Sequence, residues 1–288
     1  MAVIGQAGTM DLFADQPPAA DGPRVEPLAD GAVVLRGFAT ASAETLWREI
    51  ARVIEAGADE TPLYLAAIEA LAAIHEAPTP DVLSGPGGDW PLLAYDQTAL
   101  QGGADLFVDW LPKLKPELDF DEAAIAAWRA AWTPTVERAA AGAAVLAHRD
   151  YHAENLIWLP ERDGVARVGM IDFQDAVRAH PSWDLHSLLQ DARRDVSPAL
   201  EHAALDRYFA LRPLVDRDAF LRDYAGLAAL NEARSLGIFA RLIVRDGKPR
   251  YAAFMPRMWA HLARNLEQQG LEPVADWFAR YVPKETRR

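Results

Sequence analysis

Between residues 155 and 173 the sequence drops helical periodicity for two short apolar runs, NLIWL and ARVGMIDF, separated by PERDG. Short apolar runs on either side of a Pro-and-Gly turn signal read as the two strands of a β-hairpin. On both flanks apolar residues recur at three- and four-residue spacing, which is the pattern of helices. TPLYLAAIEALAAIHEA, closed by Pro78, predicts one helix, and further helical patterns run over about 104–113 and 120–140. Beyond residue 183 the segments WDLHSLLQDA, SPALEHAALDRYFA, DRDAFLRDYAGLAALNEARSLGIFARLIV, YAAFMPRMWAHLARNLEQQ and PVADWFARYV are all helical in pattern. Such a chain is confined to a mainly α fold with one small β-hairpin in its middle. Residues 79–103, rich in Pro and Gly, are expected to form a long loop.

The first sixty residues differ in character. Residues 1–24 have no sustained periodicity and read as a flexible leader. Residues 25–58 predict a short strand at GAVVLRGFA and a helix over AETLWREIARVIEAG, ending at Gly57. The opening lacks the basic-then-apolar order of a signal peptide, and no apolar run is long enough to span a bilayer. With no cysteine, disulfides, thiolate metal sites and cysteine nucleophiles are excluded. A net charge of -13 argues against nucleic acid as a partner. The expectation is a cytoplasmic protein with no membrane association.

The hairpin brings chemistry with it. If its turn is centred between Asp163 and Gly164, antiparallel pairing sets Asn155 beside Asp172, with Asp150 one short loop upstream at the same end. Two carboxylates and a carboxamide make an all-oxygen site, which suits Mg²⁺. Phosphoryl transfer needs these parts: one Asp to take the proton of the attacking hydroxyl, and an Asn and a second Asp to hold magnesium against nucleotide phosphates. His148, His152 and His180 read as scaffold that packs and hydrogen-bonds around the loop. An iron site was the other reading of His148-Arg149-Asp150. It requires a second His on a neighbouring strand, but the downstream histidines at 152, 180, 186, 202 and 261 lie mostly in helical sequence.

LAHRDYHAENLIWL followed by GMIDFQDAVRAHPSWDLHSLLQDA resembles the aminoglycoside phosphotransferase-like kinases. With NEARSLGIFARLIVRDGKPRYAAFMPR, the likeness is closest to their anomeric N-acetylmuramate/N-acetylglucosamine kinase branch, from about Thr61 to the C-terminus. The resemblance implies a protein-kinase-like C-terminal lobe that uses ATP and Mg²⁺ to phosphorylate an amino sugar in peptidoglycan recycling. It implies that Asp150 is the catalytic base, that Asn155 and Asp172 are magnesium ligands, and that His148 and Asp184 support the loop. Glu232, Arg234 and Arg241 lie in the last of these segments. There they either face the acceptor or form surface ion pairs at helical spacing.

Kinases of this kind begin with a β-rich lobe that supplies a phosphate-binding lysine. No lysine precedes Lys113, so that lobe is expected to be missing. In its place residues 10–53 resemble the opening of AlkB-type 2-oxoglutarate dioxygenases, without that family's iron ligands, and the join falls near residues 57–60. Two readings follow: a sugar kinase weakened in its grip on ATP, or a catalytically inactive kinase lobe, from a gene fusion, that serves as a binding module. A repair dioxygenase would rest on the leader alone.

Overall fold

The computed structural model describes residues 24–29, 32–36, 59–85 and 88–287. They divide into two units, Met1–Glu60 and Thr61–Arg288. In the first, strands β1 (Arg24–Ala29) and β2 (Ala32–Arg36) pair antiparallel, Arg24 opposite Arg36, with an irregularity between Pro27 and Ala29. The strand expected at GAVVLRGFA is β2. Its partner RVEPLA was not anticipated, because a proline and two charges hide its alternation. The helix expected over residues 43–57 lies outside the described residues, as does the leader up to residue 23.

The second unit is built from eight α-helices among the described residues: α1 (Thr61–Glu76), α2 (Gln97–Leu114), α3 (Glu122–Ala141), α4 (Ser182–Leu189), α5 (Pro198–Leu211), α6 (Arg217–Val244), α7 (Met255–Asn265) and α8 (Glu272–Tyr281). Side-chain caps fix several starts. Asp96, Asp121, Ser197 and Asp216 each accept the amide of the residue three positions on, satisfying an N–H that the helix leaves unpaired. The Asp96 cap corrects an expectation: α2 begins at Gln97, inside the stretch read as loop. Gly102 and Gly103 disguised that start, since adjacent glycines lower helix propensity.

Packing centres on aromatic rings. Phe107 of α2 stacks on Trp128 of α3 with centroids 5.2 Å apart, and Trp128 meets Trp277 of α8 edge-on at 4.6 Å. All three are essentially buried, and pairs of this kind each add about 1 kcal/mol beyond the area they bury. A second cluster joins Ile68 and Leu71 of α1 to Leu185, Leu189 and Tyr208. The long helix α6 lies against α2 at Gly237, where an added Cβ would run into the Leu106 carbonyl and come within 2.6 Å of the Phe107 nitrogen. Gly237→Ala is therefore expected to wedge the two helices apart and cost about 1–3 kcal/mol, read as a lower urea midpoint. Gly102→Ala, facing open space on the same helix pair, should add about 0.5–1 kcal/mol of stability and so raise the midpoint.

Where one hairpin was expected, the described residues of this unit form three separate two-stranded antiparallel sheets. Strands β3 (Val82–Gly85) and β4 (Gly88–Pro91) pair within the supposed loop. Val82, Leu83 and Trp90 are exposed, so no buried face patterned the sequence. Strands β5 (Val145–Ala147) and β8 (Val177–Ala179) pair across the active segment; three residues are too few to show a period. The expected hairpin is β6 (Leu156–Trp158) with β7 (Val168–Met170). Among the described residues, no helix is long and apolar enough to cross a membrane.

Candidate active site

The segment after β5 is fastened on several sides. Asp184, fully buried at the start of α4, accepts the amide of His148 on Oδ2 at 2.7 Å and that of Arg149 on Oδ1 at 2.9 Å. Trp183 Nε1–H donates to the Arg149 carbonyl at 3.0 Å, and the Tyr151 hydroxyl donates to the Ala67 carbonyl of α1 at 2.7 Å. His148 Nε2–H donates to the Ile171 carbonyl at 2.9 Å, tying this loop to the end of β7. Arg149 is thereby held at φ 78°, a left-handed conformation that costs about 1–3 kcal/mol unless its surroundings enforce it. The result is a rigid mount for Asp150. Burial pushes the Asp184 carboxyl up to about 7, against the pull of the two amides and with a further push from Asp150. Burial, with Arg193 next in effect, holds the His152 imidazole below its usual range despite nearby carboxylates.

The hairpin register differs by one residue from the expected one. Leu156 faces Met170, and the Ile171 amide donates to the Asn155 carbonyl, so Asn155 stands opposite Ile171 and Asp172 lies one position further on. The connection contains a 3-10 turn at Gly164–Arg167, which moves the midpoint away from Asp163–Gly164. Asp172 turns at φ 64°, which an Asp tolerates better than most residues. Among the described residues its carboxylate accepts only from Gln174, at 2.7 Å, and it is exposed. The Asn155 amide nitrogen is spent on the Asp150 carbonyl at 3.0 Å, which leaves the amide oxygen for a cation. Among the described residues no three His, Asp or Glu side chains gather as a metal cluster. One carboxylate plus one carboxamide oxygen, completed by phosphate and water, is the sparse donor set that magnesium accepts.

Asp150 also lines a cavity of about 250 Å³ with Arg149, His152, Asp191, Asn231 and Arg234. Three buried polar atoms in that wall have no partner: Arg149 Nε, His152 Nδ1 and Asp191 Oδ2. Unpaired buried polar atoms are costly; the cavity itself, lined by charged side chains, an imidazole and amides, suits a ligand rich in hydroxyl and amide groups. Of the residues the sequence proposed for the acceptor, Arg234 lines this cavity, while Arg241 lines an adjoining one. Glu232 lines neither. It is buried on the far side of α6, accepting from Asn265 Nδ2 at 3.0 and 3.1 Å, and burial pushes its carboxyl well above the usual range. Sequence reasoning missed Asp191, Asn231 and Gln190 in the wall. Asn231 could have been found from its spacing of three from Arg234 on one helix face.

The description "phosphotransferase enzyme family" matches residues 29–230, so the match takes in β2 and not only the chain from Thr61 onward. An N-acetylmuramate/N-acetylglucosamine kinase of Caulobacter vibrioides is 60% identical over 238 residues, 83% of this chain and 65% of its own length. A kinase with the same name from Pseudomonas putida is 30% identical over 69% of this chain and 57% of its own. Another, from Pseudomonas aeruginosa, is 32% identical over 71% and 58%. The chain thus spans about two-thirds or less of the length of these relatives. A family match over 202 residues (29 to 230), with the fastened Asp150 loop and the Asn155–Asp172 hairpin inside it, shows that the chain belongs to the phosphotransferase enzyme family.

Proposed function

We propose that this chain transfers the γ-phosphoryl group of ATP to the anomeric hydroxyl of an amino sugar, N-acetylmuramate or N-acetylglucosamine. The observation that carries the reading is the polar lining of the cavity beside Asp150, where Arg149, His152, Asp191, Asn231 and Arg234 suit a polyhydroxylated ligand next to a candidate proton acceptor. The printed names of the relatives support the choice of sugar. Asp150 takes the proton of the sugar's C1 hydroxyl as its oxygen bonds to the γ-phosphorus, and the bond to the ADP oxygen breaks. Asn155 and Asp172 would hold Mg²⁺, which supplies charge neutralisation on the phosphates. Arg149, Asp191, Asn231 and Arg234 orient the sugar, and Asp184 and His148 position Asp150 without touching substrate. The reading fits a cytoplasmic role in reusing cell-wall sugars.

A catalytically inactive kinase lobe that serves as a binding or interaction module is a second reading. It draws on Trp158, Ile171 and Phe173, large apolar side chains left exposed on and beside the hairpin. Phosphorus NMR separates the two. Incubation with Mg-ATP and either sugar should yield ADP and a sugar 1-phosphate in equal amounts. Sugar binding without product would favour the inactive module, and binding of neither ligand would remove the kinase reading.

A further inference from the structure

A second cavity, of about 410 Å³, adjoins the Asp150 pocket and shares Arg149, Arg234 and Ile238 with it. Its polar side chains are Tyr95, Arg149, Arg234 and Arg241, and no Asp or Glu lines it. That is unusual in a chain of net charge -13. Three guanidinium groups around one hollow repel each other unless an anion occupies it. None of the three is neutralised by a close carboxylate. Arg234 donates only to the Asn231 amide oxygen at 3.2 Å. Arg149 approaches the exposed Asp175 carboxylate no closer than 3.8 Å, and its Nε is buried and unpaired. The Arg241 side chain makes no hydrogen bond or ion pair among the described residues, and its Nε is likewise buried without a partner. The carboxylate that feels its charge, Asp246, is already gripped by Arg245 at 2.6 and 3.1 Å.

The cavity is also shaped for its arginines. A Cβ at position 103 would lie 3.2 Å from Arg234 Cδ and 3.6 Å from the Tyr95 hydroxyl, so glycine there leaves both side chains their places. Arg149 is held by the same loop contacts that mount Asp150. One wall of the anion pocket is therefore the backbone neighbour of the proton acceptor. A single small ligand can reach both when its anionic group lies a few bonds from the hydroxyl that reacts.

We infer that Arg149, Arg234 and Arg241 form a pocket for the carboxylate of an acidic acceptor sugar, and that Arg241 is the residue that prefers the acid over its neutral counterpart. The inference rests on the acceptor reading above and sharpens it. N-acetylmuramate carries a lactyl ether with a carboxylate where N-acetylglucosamine has a hydroxyl, and the two are otherwise alike. Guanidinium pairs with carboxylate through two parallel hydrogen bonds, which gives a directional preference that a neutral hydroxyl cannot match. Arg149 and Arg234 face both cavities and serve either sugar; Arg241 faces only the second.

The test is calorimetric titration of the whole chain with each sugar, for the wild type, Arg241→Met and Arg241→Lys, with thermal midpoints to verify folding. Wild type should bind N-acetylmuramate more tightly than N-acetylglucosamine. Arg241→Met should weaken N-acetylmuramate about ten- to a hundredfold and leave N-acetylglucosamine unchanged, and Arg241→Lys should recover part of the loss. Equal loss for both sugars, or no loss for either, would overturn the inference while the acceptor reading stands. A loss confined to titration with Mg-ATP or inorganic phosphate would also overturn it, assigning the arginines to the nucleotide. If the wild type binds neither sugar, the acceptor reading fails and this inference fails with it.

Discussion

Asp150→Asn is expected to lower phosphoryl transfer about 10²–10⁴-fold while leaving the fold and the sugar affinity nearly intact. The substitution keeps the shape of the side chain and removes its capacity to take a proton. It should spare the loop, because the contacts that fasten this segment come from its backbone and from other side chains. The Asp150 carbonyl accepts from Asn155, and Asp184, Trp183 and Tyr151 hold the neighbouring residues. Removing the proton acceptor should act on the transition state, so kcat falls and KM for the sugar barely moves. The measurement is ADP release at saturating sugar, beside the urea midpoint of the variant. A rate within about threefold of wild type would show that the proton goes elsewhere, since general-base help is worth far more than that.

The largest effect on stability is expected at Asp184. Its two oxygens each accept one amide of the His148-Arg149 turn, deep in the protein. Asp184→Ala leaves both N–H groups buried and unpaired and opens a small cavity, for a cost of about 2–5 kcal/mol. Asp184→Asn keeps one acceptor but turns an NH₂ toward the other amide, a donor facing a donor, and is expected to cost about 1–3 kcal/mol. Both variants also release the constraint on Arg149, whose left-handed backbone persists only under that pressure. Transfer should therefore fall in both, and fall further in the alanine variant. Urea titration followed by tryptophan fluorescence checks the ordering; Asn more destabilising than Ala would contradict it.

The helices were legible because apolar residues recur along them at helical spacing, and α6 shows why length helps: its 28 residues give many turns for the pattern to declare itself, although Tyr224–Leu230 is buried on every side. The three-residue strands β5 and β8 were not legible, since they are set by pairing across the fold and carry no period of their own. The hairpin was legible in existence but not in register. Counting inward from Asn155 and Asp172 assumed a tight turn, and the connection coils into 3-10 geometry instead. Asp150, Asn155 and Asp172 drew the proposal of a site because they cluster in sequence beside the hairpin. On the acceptor side the sequence singles out Arg234 and Arg241 but not Tyr95 and Arg149, because these come from the loops before α2 and after β5 and meet α6 only in the folded chain. Glu232 shows the opposite hazard. It shares a helix with Arg234, yet its position rotates it into the interior beside Asn265. The phosphotransferase match begins at residue 29, within the span that carried the dioxygenase-like resemblance.

Magnesium-dependent nucleotide binding tests the central claim most directly. In calorimetric titration of the whole chain with ATP, heat of binding should be saturable with Mg²⁺ present and absent with EDTA. Asp172→Asn should lose the magnesium-dependent part, because it removes the one carboxylate of the pair and hard cations bind anionic oxygen best. Its stability should hardly change, since the Asp172 side chain is exposed and its only partner is Gln174. ATP binding that is the same with EDTA, or the same in Asp172→Asn, would contradict the assignment of this hairpin as a phosphoryl-transfer site.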